Sequence, residues 1–143
     1  MLIGQYEHTI DNKKRLALPA KFRGELGDKV IVTKWLEGCL AIFTEAEWKP
    51  WSEKLVSMTV SQAEARSFAR TILAGAMEVA LDKLGRILVP DYLKNYASLK
   101  KNVVICGLSN RLEIWDSEKW EKYNKEAEKG VDEIVSKLGG MGI

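Results

Sequence analysis

The stretch Asp82-Lys83-Leu84-Gly85-Arg86-Ile87-Leu88-Val89-Pro90 governs the reading of this chain, because it occurs twice. The earlier copy is Asp11-Asn12-Lys13-Lys14-Arg15-Leu16-Ala17-Leu18-Pro19. In each copy an acid opens a four-residue turn, an arginine closes it, an apolar-rich run follows and a proline ends the run. An aspartate in the first turn position accepts hydrogen bonds from backbone N–H groups a few residues on, which stiffens the loop. Gly85 supplies a backbone position with positive φ. Asp11, Asp82 and Gly85 are therefore read as turn-stabilising residues, and Arg15 and Arg86 as side chains projecting from a rigid base.

The copies belong to a longer repeat. Shifted by 71 positions, Gly4 matches Gly75, Glu7 matches Glu78, Asp11 matches Asp82, Arg15 matches Arg86, Pro19 matches Pro90 and Arg23 matches Lys94. With a slightly larger shift, Val30-Ile31-Val32 matches Val103-Val104-Ile105, and Trp48 matches Trp120. Each unit is expected to run strand, turn, strand, short helix and hairpin. The first unit has strands at 5–10, 15–18, 30–36 and 39–43, with a helix at 19–26 ended by Gly27. The second has strands at 76–81, 86–89, 102–108 and 111–115, with a helix at 90–97. Tight hairpins are expected at Glu37-Gly38 and Ser109-Asn110. The fold class is α+β, and the division is a first unit over 1–60 with its following helix, a linker helix over 61–75, and a second unit over 76–143 with a C-terminal helix.

Thr44-Glu45-Ala46-Glu47 and Ser61-Gln62-Ala63-Glu64 are capping-box patterns that start helices. Pro50, in the second turn of the first of these, is expected to kink or restart it. The last helix is expected over about 117–138, stopped by Gly139-Gly140, with the tail to Ile143 disordered. Trp120, Tyr123, Ala127, Val131, Ile134, Val135 and Leu138 would line one side of it.

Composition sets the outer bounds. A chain of 143 residues with 46% apolar and 29% charged residues builds one soluble domain or two very small ones that lean on each other. It has no apolar run long enough to cross a membrane, and its N-terminus lacks the basic and apolar regions of a signal peptide, so a cytoplasmic location is expected. Cys39 and Cys106 sit in apolar runs and are expected to be buried, reduced thiols. One histidine, His8, and two separated cysteines give no metal cluster. No nucleotide-binding glycine motif and no Cys–His pair appears. The expectation is no enzyme, no metal and no cofactor.

Net charge is only +2, but it is unevenly placed. Residues 11–23 carry five basic side chains against Asp11, and residues 82–101 carry five against Asp82 and Asp91, whereas residues 113–133 carry eight acids and four lysines. One such turn alone reads as an ordinary hairpin whose arginine pairs with its own aspartate. Two equivalent turns flanked by lysines read equally well as a rim for a polyanion. There Arg15 and Arg86 could each grip guanine O6 and N7 or a phosphate, with Lys13, Lys14 and Lys83 adding phosphate contacts. Trp35, Trp48, Trp51, Trp115 and Trp120 are read as core or subunit packing rather than base-stacking residues.

Several stretches carry a resemblance. Gly4-Gln5-Tyr6-Glu7-His8-Thr9-Ile10-Asp11, Arg15-Leu16-Ala17-Leu18-Pro19-Ala20-Lys21-Phe22-Arg23, Gly75-Ala76-Met77-Glu78-Val79 with Asp82 to Pro90, and Asn110-Arg111-Leu112-Glu113-Ile114-Trp115 together resemble the MraZ family of bacterial transcriptional regulators, over nearly the full length. The resemblance implies two small β-barrel-like AbrB (swapped-hairpin) units with flanking helices. It also implies a nucleoid-associated, ring-shaped homo-oligomer that binds double-stranded DNA at tandem short G-rich promoter repeats upstream of a cell-division and cell-wall gene cluster. The family's Asp-x-x-x-Arg signature maps onto Asp11 and Arg15 and onto Asp82 and Arg86. The family pattern has glycine where Lys14 stands. A side chain at positive φ costs roughly 1 kcal/mol, so the first turn is expected to differ in shape from the second. The alternative reading is a non-catalytic interaction adaptor that works through its helical faces.

Overall fold

The computed structural model describes residues 1–58 and 61–142. In chain order the elements are β1 (Leu2–Thr9), β2 (Arg15–Ala17), α1 (Arg23–Leu26), β3 (Lys29–Lys34), β4 (Leu40–Phe43), α2 (Glu45–Val56), α3 (Ala63–Ala69), β5 (Met77–Ala80), β6 (Arg86–Leu88), α4 (Asp91–Tyr96), β7 (Asn102–Ser109), β8 (Leu112–Asp116), α5 (Ser117–Lys129) and α6 (Val131–Lys137). The fold is α+β, as expected.

Six strands form one antiparallel sheet in the order β1-β7-β8-β4-β3-β5, and β2 pairs with β6 in a separate two-stranded ribbon. The hairpins β3–β4 and β7–β8 are local, but the remaining pairings cross between the repeats. β1 lies along β7, β5 along β3, and β2 along β6. The strands on either side of the first tight turn form no ladder and meet at the isolated bridge Ile10–Leu16. Each turn is therefore a crossing from sheet to ribbon rather than the tip of a local hairpin. The exits are pinned identically: Ile10 N–H donates to the Lys101 carbonyl and Leu81 N–H to the Asp28 carbonyl, both at 2.8 Å.

The apolar runs in the central strands make sense in this arrangement, because both faces of the sheet are covered. Val30, Val32, Leu40, Ile42, Val103, Ile105, Leu112 and Ile114 point to one side, where Leu16, Leu18, Ile87 and Val89 from the ribbon segments and Phe22 and Leu93 from the short helices close the core. The alternate residues Ala41, Phe43, Val104, Cys106 and Trp115 face the other side, into an aromatic core completed by Trp48, Trp51, Phe68 and Trp120. Trp35 stacks edge-on to Phe43 with ring centres 5.3 Å apart, and Trp115 does the same to Trp120 at 5.4 Å. The tryptophans are packing residues, as expected. Cys39 and Cys106 are free and buried. Burial holds the Cys39 thiol well above its ordinary range and pushes Cys106 up to about 12, with the charge of Glu113 adding to both.

Helix boundaries depart from the sequence expectations at four places. Helix α2 runs through Pro50 as one element, with Leu55 buried and Trp48 and Trp51 packed on the aromatic core. That packing outweighs the single backbone hydrogen bond the proline removes. Thr44 caps it as expected, accepting from Glu47 N–H at 3.2 Å, but Ser61 is not the cap residue of the following helix. The next helix starts at Ala63 with Gln62 as its cap residue and passes into a π-helical turn over Arg70–Ala74. There the buried Thr33 hydroxyl donates to the Ile72 carbonyl at 2.6 Å. The C-terminal helix is broken at Gly130 into α5 and α6. Among the described residues beyond that glycine no side chain is buried, so little packing offsets its poor helix propensity. Gly139–Met141 forms a 3₁₀ turn where disorder was expected. Ile143, and the boundary at residue 60, lie outside the described residues.

The ribbon is held by Leu16 and Ile87, which are almost fully buried. Leu16→Ala should cost about 2–5 kcal/mol of unfolding free energy in urea titration, whereas Leu84→Ala, at a position 61% exposed, should stay within about 0.5 kcal/mol.

Candidate nucleic-acid interface

The two turns have the same geometry. In the first, Asp11 Oδ1 accepts from the backbone N–H groups of Lys13 and Arg15, both at 2.9 Å, while Oδ2 accepts from Arg15 Nε at 2.8 Å. In the second, Asp82 Oδ1 accepts from Leu84 and Arg86 N–H, both at 2.9 Å, and Oδ2 from Arg86 Nε at 2.7 Å. Backbone bonds close both loops: Lys14 N–H to the Asp11 carbonyl at 3.0 Å, and Gly85 N–H to the Asp82 carbonyl at 2.9 Å. The arginine backbone N–H is the main cause holding each carboxyl below its ordinary pKa, and the guanidinium adds to it.

The expected difference in shape is absent. Lys14 takes φ 63° and Gly85 φ 70°. The aspartate's three bonds hold the loop in this form, and Lys14 gains a partner there, its Nζ lying 2.8 Å from Asp91 Oδ2. Lys14 is thereby turned toward α4. Lys13 and Lys83 have no ion pair among the described residues and extend from the two turn tips.

Register decides where the arginines go. Arg15 pairs with Leu88, Leu16 with Ile87 and Ala17 with Arg86. Because side chains alternate across a strand, burying Leu16 and Ile87 puts Arg15, Ala17, Arg86 and Leu88 together on the outer face. Arg15 and Arg86 are diagonal neighbours there, with Cα atoms about 7–8 Å apart by sheet geometry. Their side chains are 34% and 27% exposed. Each is held through Nε, and neither Nη pair has a partner among the described residues. Nothing points inward.

Sequence reasoning missed Arg23. Its Nε and Nη2 donate to the Leu18 carbonyl at 3.1 and 2.9 Å, and its side chain lies flat against the second turn. A Cβ built on Gly85 would come within 2.1 Å of Arg23 Nε. The signal was present in the mismatch between Gly85 and its counterpart Lys14, which marks a close approach on one turn only.

No group of three or more His, Cys, Asp or Glu side chains able to hold a metal occurs among the described residues, and no described helix is long and apolar enough to cross a membrane.

The MraZ protein family matches this chain twice, over residues 1–71 and 72–138. The chain belongs to the MraZ family. It is 47% identical over 143 residues, covering all of both chains, to the transcriptional regulator MraZ of Caldanaerobacter subterraneus subsp. tengcongensis. It is 46% identical, again over the full length of both, to the proteins of that name from Thermoanaerobacter pseudethanolicus and Clostridium acetobutylicum. The two family matches each contain one Asp-x-x-x-Arg turn, so the MraZ repeat and the structural repeat coincide.

Two outcomes follow for the turns. Gly85→Ala should destabilise by about 1–3 kcal/mol, through strain at positive φ and displacement of Arg23, while Lys14→Gly should be nearly neutral, both read by chemical denaturation. Because their folded pKa values are depressed, Asp11 and Asp82 stabilise fully above the ordinary carboxylate value of about 4 and lose that contribution as pH falls through the lower folded value. In the Asp11→Asn/Asp82→Asn double variant that acid-dependent part of the melting-temperature profile should disappear.

Proposed function

We propose that this chain is a non-enzymatic transcriptional regulator that binds double-stranded DNA in the major groove with the outer face of the β2–β6 ribbon. The observation that carries the reading is the state of the two arginines. Each is oriented by its own aspartate through Nε, and the two terminal nitrogens are left for a ligand. That presentation suits bidentate recognition of guanine O6 and N7, and a two-stranded ribbon is of a size that the major groove admits. Lys13 and Lys83 at the tips would add sequence-independent phosphate contacts. The relatives' name, transcriptional regulator MraZ, supports the same reading.

The reading extends to a cytoplasmic, nucleoid-associated homo-oligomer, ring-shaped, acting on tandem short repeats in the promoter of a cell-division and cell-wall gene cluster. One ribbon makes few base contacts, and several at fixed spacing gain avidity when the DNA repeats match that spacing. Direct repeats suit a head-to-tail assembly. Val131, Ile134, Val135 and Leu138 leave an apolar stripe exposed on and beyond α6, which supports burial against a second copy. The same stripe is what favours the adaptor reading, and salt dependence separates the two.

Arg15→Ala and Arg86→Ala should each weaken binding to a G-rich repeat duplex by about 5- to 150-fold, since a bidentate base contact contributes about 1–3 kcal/mol. The melting temperature should change little. Full affinity in the double variant, measured by gel shift at fixed salt, would overturn the DNA reading. Binding to a protein partner with no salt-dependent DNA binding would support the adaptor. Ile134→Asp should shift the protein toward monomer in size-exclusion chromatography with light scattering. An unchanged mass would remove α6 from the interface.

A further inference from the structure

Beside the first turn lies a concavity of about 610 Å³ lined by Thr9, Ile10, Asp11, Asn12, Lys94, Lys100 and Lys101. Its three lysines come from the second repeat and reach the first turn because the strands cross. Lys94 and Lys101 have no ion pair among the described residues. Lys100 has only Glu118 at 3.5 Å, with both side chains more than two-thirds exposed. The one acid in the lining, Asp11, is already taken up by Arg15 and two backbone N–H groups. The concavity therefore gathers three ammonium groups beside the first turn, of which only Lys100 has an ion pair among the described residues, an exposed one with Glu118.

Among the described residues the second turn is flanked differently. The equivalent hydrogen bonds from Ile10 to Lys101 and from Leu81 to Asp28 put Asp28 where Lys101 stands. Gly27 then replaces Lys100, and Arg23 replaces Lys94. Arg23 is committed to the Leu18 carbonyl and the packed face of Gly85. Two turns alike in their backbone thus differ in what flanks them: a three-lysine cleft on one side, and a tethered arginine, a glycine and an acid on the other.

We propose that the Lys94/Lys100/Lys101 concavity binds a phosphate of the DNA backbone next to the bases read by Arg15, and so gives a pseudo-symmetric chain one orientation on its repeat. The inference rests on the DNA reading above. A chain whose two readers were equivalent in every contact would bind an asymmetric repeat in both directions. A phosphate clamp at one reader removes that degeneracy.

The test uses the full-length protein, a synthetic duplex of tandem G-rich repeats and a shuffled duplex of equal length. The groove variant Lys94→Gln/Lys100→Gln/Lys101→Gln is compared with Lys122→Gln/Lys125→Gln/Lys129→Gln, which removes the same charge from α5. The groove variant should lower the slope of log affinity against log salt by about 0.9 or more per bound chain. It should keep the ratio of repeat to shuffled affinity, and the α5 variant should keep the wild-type slope. Phosphate ethylation of the duplex should block wild-type binding on one flank of each repeat only, and that flank should become insensitive in the groove variant. Lys101→Glu alone, a change of two charges, provides a second readout, with a larger loss of affinity expected than for Lys101→Gln. If the wild type binds and the groove variant keeps its slope and its ethylation pattern, the clamp is excluded while the DNA reading stands. If the wild type shows no salt-dependent binding to either duplex, both readings fall.

Discussion

The structure turns on the pairing of β2 with β6. Each strand is three residues long, too short to persist as an isolated ribbon in water. It exists because Leu16 and Ile87 are buried on the large sheet. That burial leaves no choice of face. A slip of one residue would bring Arg15 or Arg86 into an apolar core, and the cost of burying an unpaired guanidinium forbids it. Hydrophobic burial of two side chains therefore fixes the direction of two others, and the chain's outward chemistry is set by what it hides beneath.

The same pairing ties the two repeats together. β1 hydrogen-bonds along its whole length to β7 and β5 along β3, so the edges of the sheet are each built from strands of different repeats. A unit of this size has little core of its own. Exchange of strands lets the two share one sheet with two buried faces, and it delivers residues of one repeat to the turn of the other. Lys14 meets Asp91, and Arg23 meets Gly85, only because of that crossing.

Much of this was legible in the sequence, and the limits have physical causes. The two Asp-x-x-x-Arg turns, the strands near 30–34, 40–43, 102–108 and 112–116, the Glu37-Gly38 hairpin and the Gly27 stop all follow from local rules. Which strand pairs with which did not follow from the residues alone. Period-2 alternation shows which residues share a face but carries no information about the neighbouring strand, and the swapped arrangement entered only through the family resemblance. The misjudged positions are those where tertiary packing overrode a local penalty: Pro50 inside α2, and Lys14 at positive φ. At Gly130 the reverse held, and with no buried side chain among the described residues beyond it the local penalty prevailed. The turn residues Asp11, Arg15, Asp82, Gly85 and Arg86 were visible because their geometry is local. Arg23 was not, because its contact spans 62 positions of sequence, from 23 to 85.

The contrast between Gly85 and Lys14 shows how a duplicated unit loses its symmetry without losing its fold. Both positions adopt the left-handed conformation, and the aspartate's bonds enforce it whether or not glycine is present. What glycine changes is the space above the turn. At Gly85 the missing Cβ admits the Arg23 side chain, whose two bonds to the Leu18 carbonyl then lock that flank. At Lys14 a side chain occupies the corresponding position and its ammonium reaches Asp91 instead, and Lys94, the counterpart of Arg23, has no ion pair among the described residues and lines the concavity beside the turn. The residue at this one position therefore decides which cation is bound close to each turn, Arg23 against Gly85 and Lys14 itself against Asp91, while the backbones of the two turns remain alike.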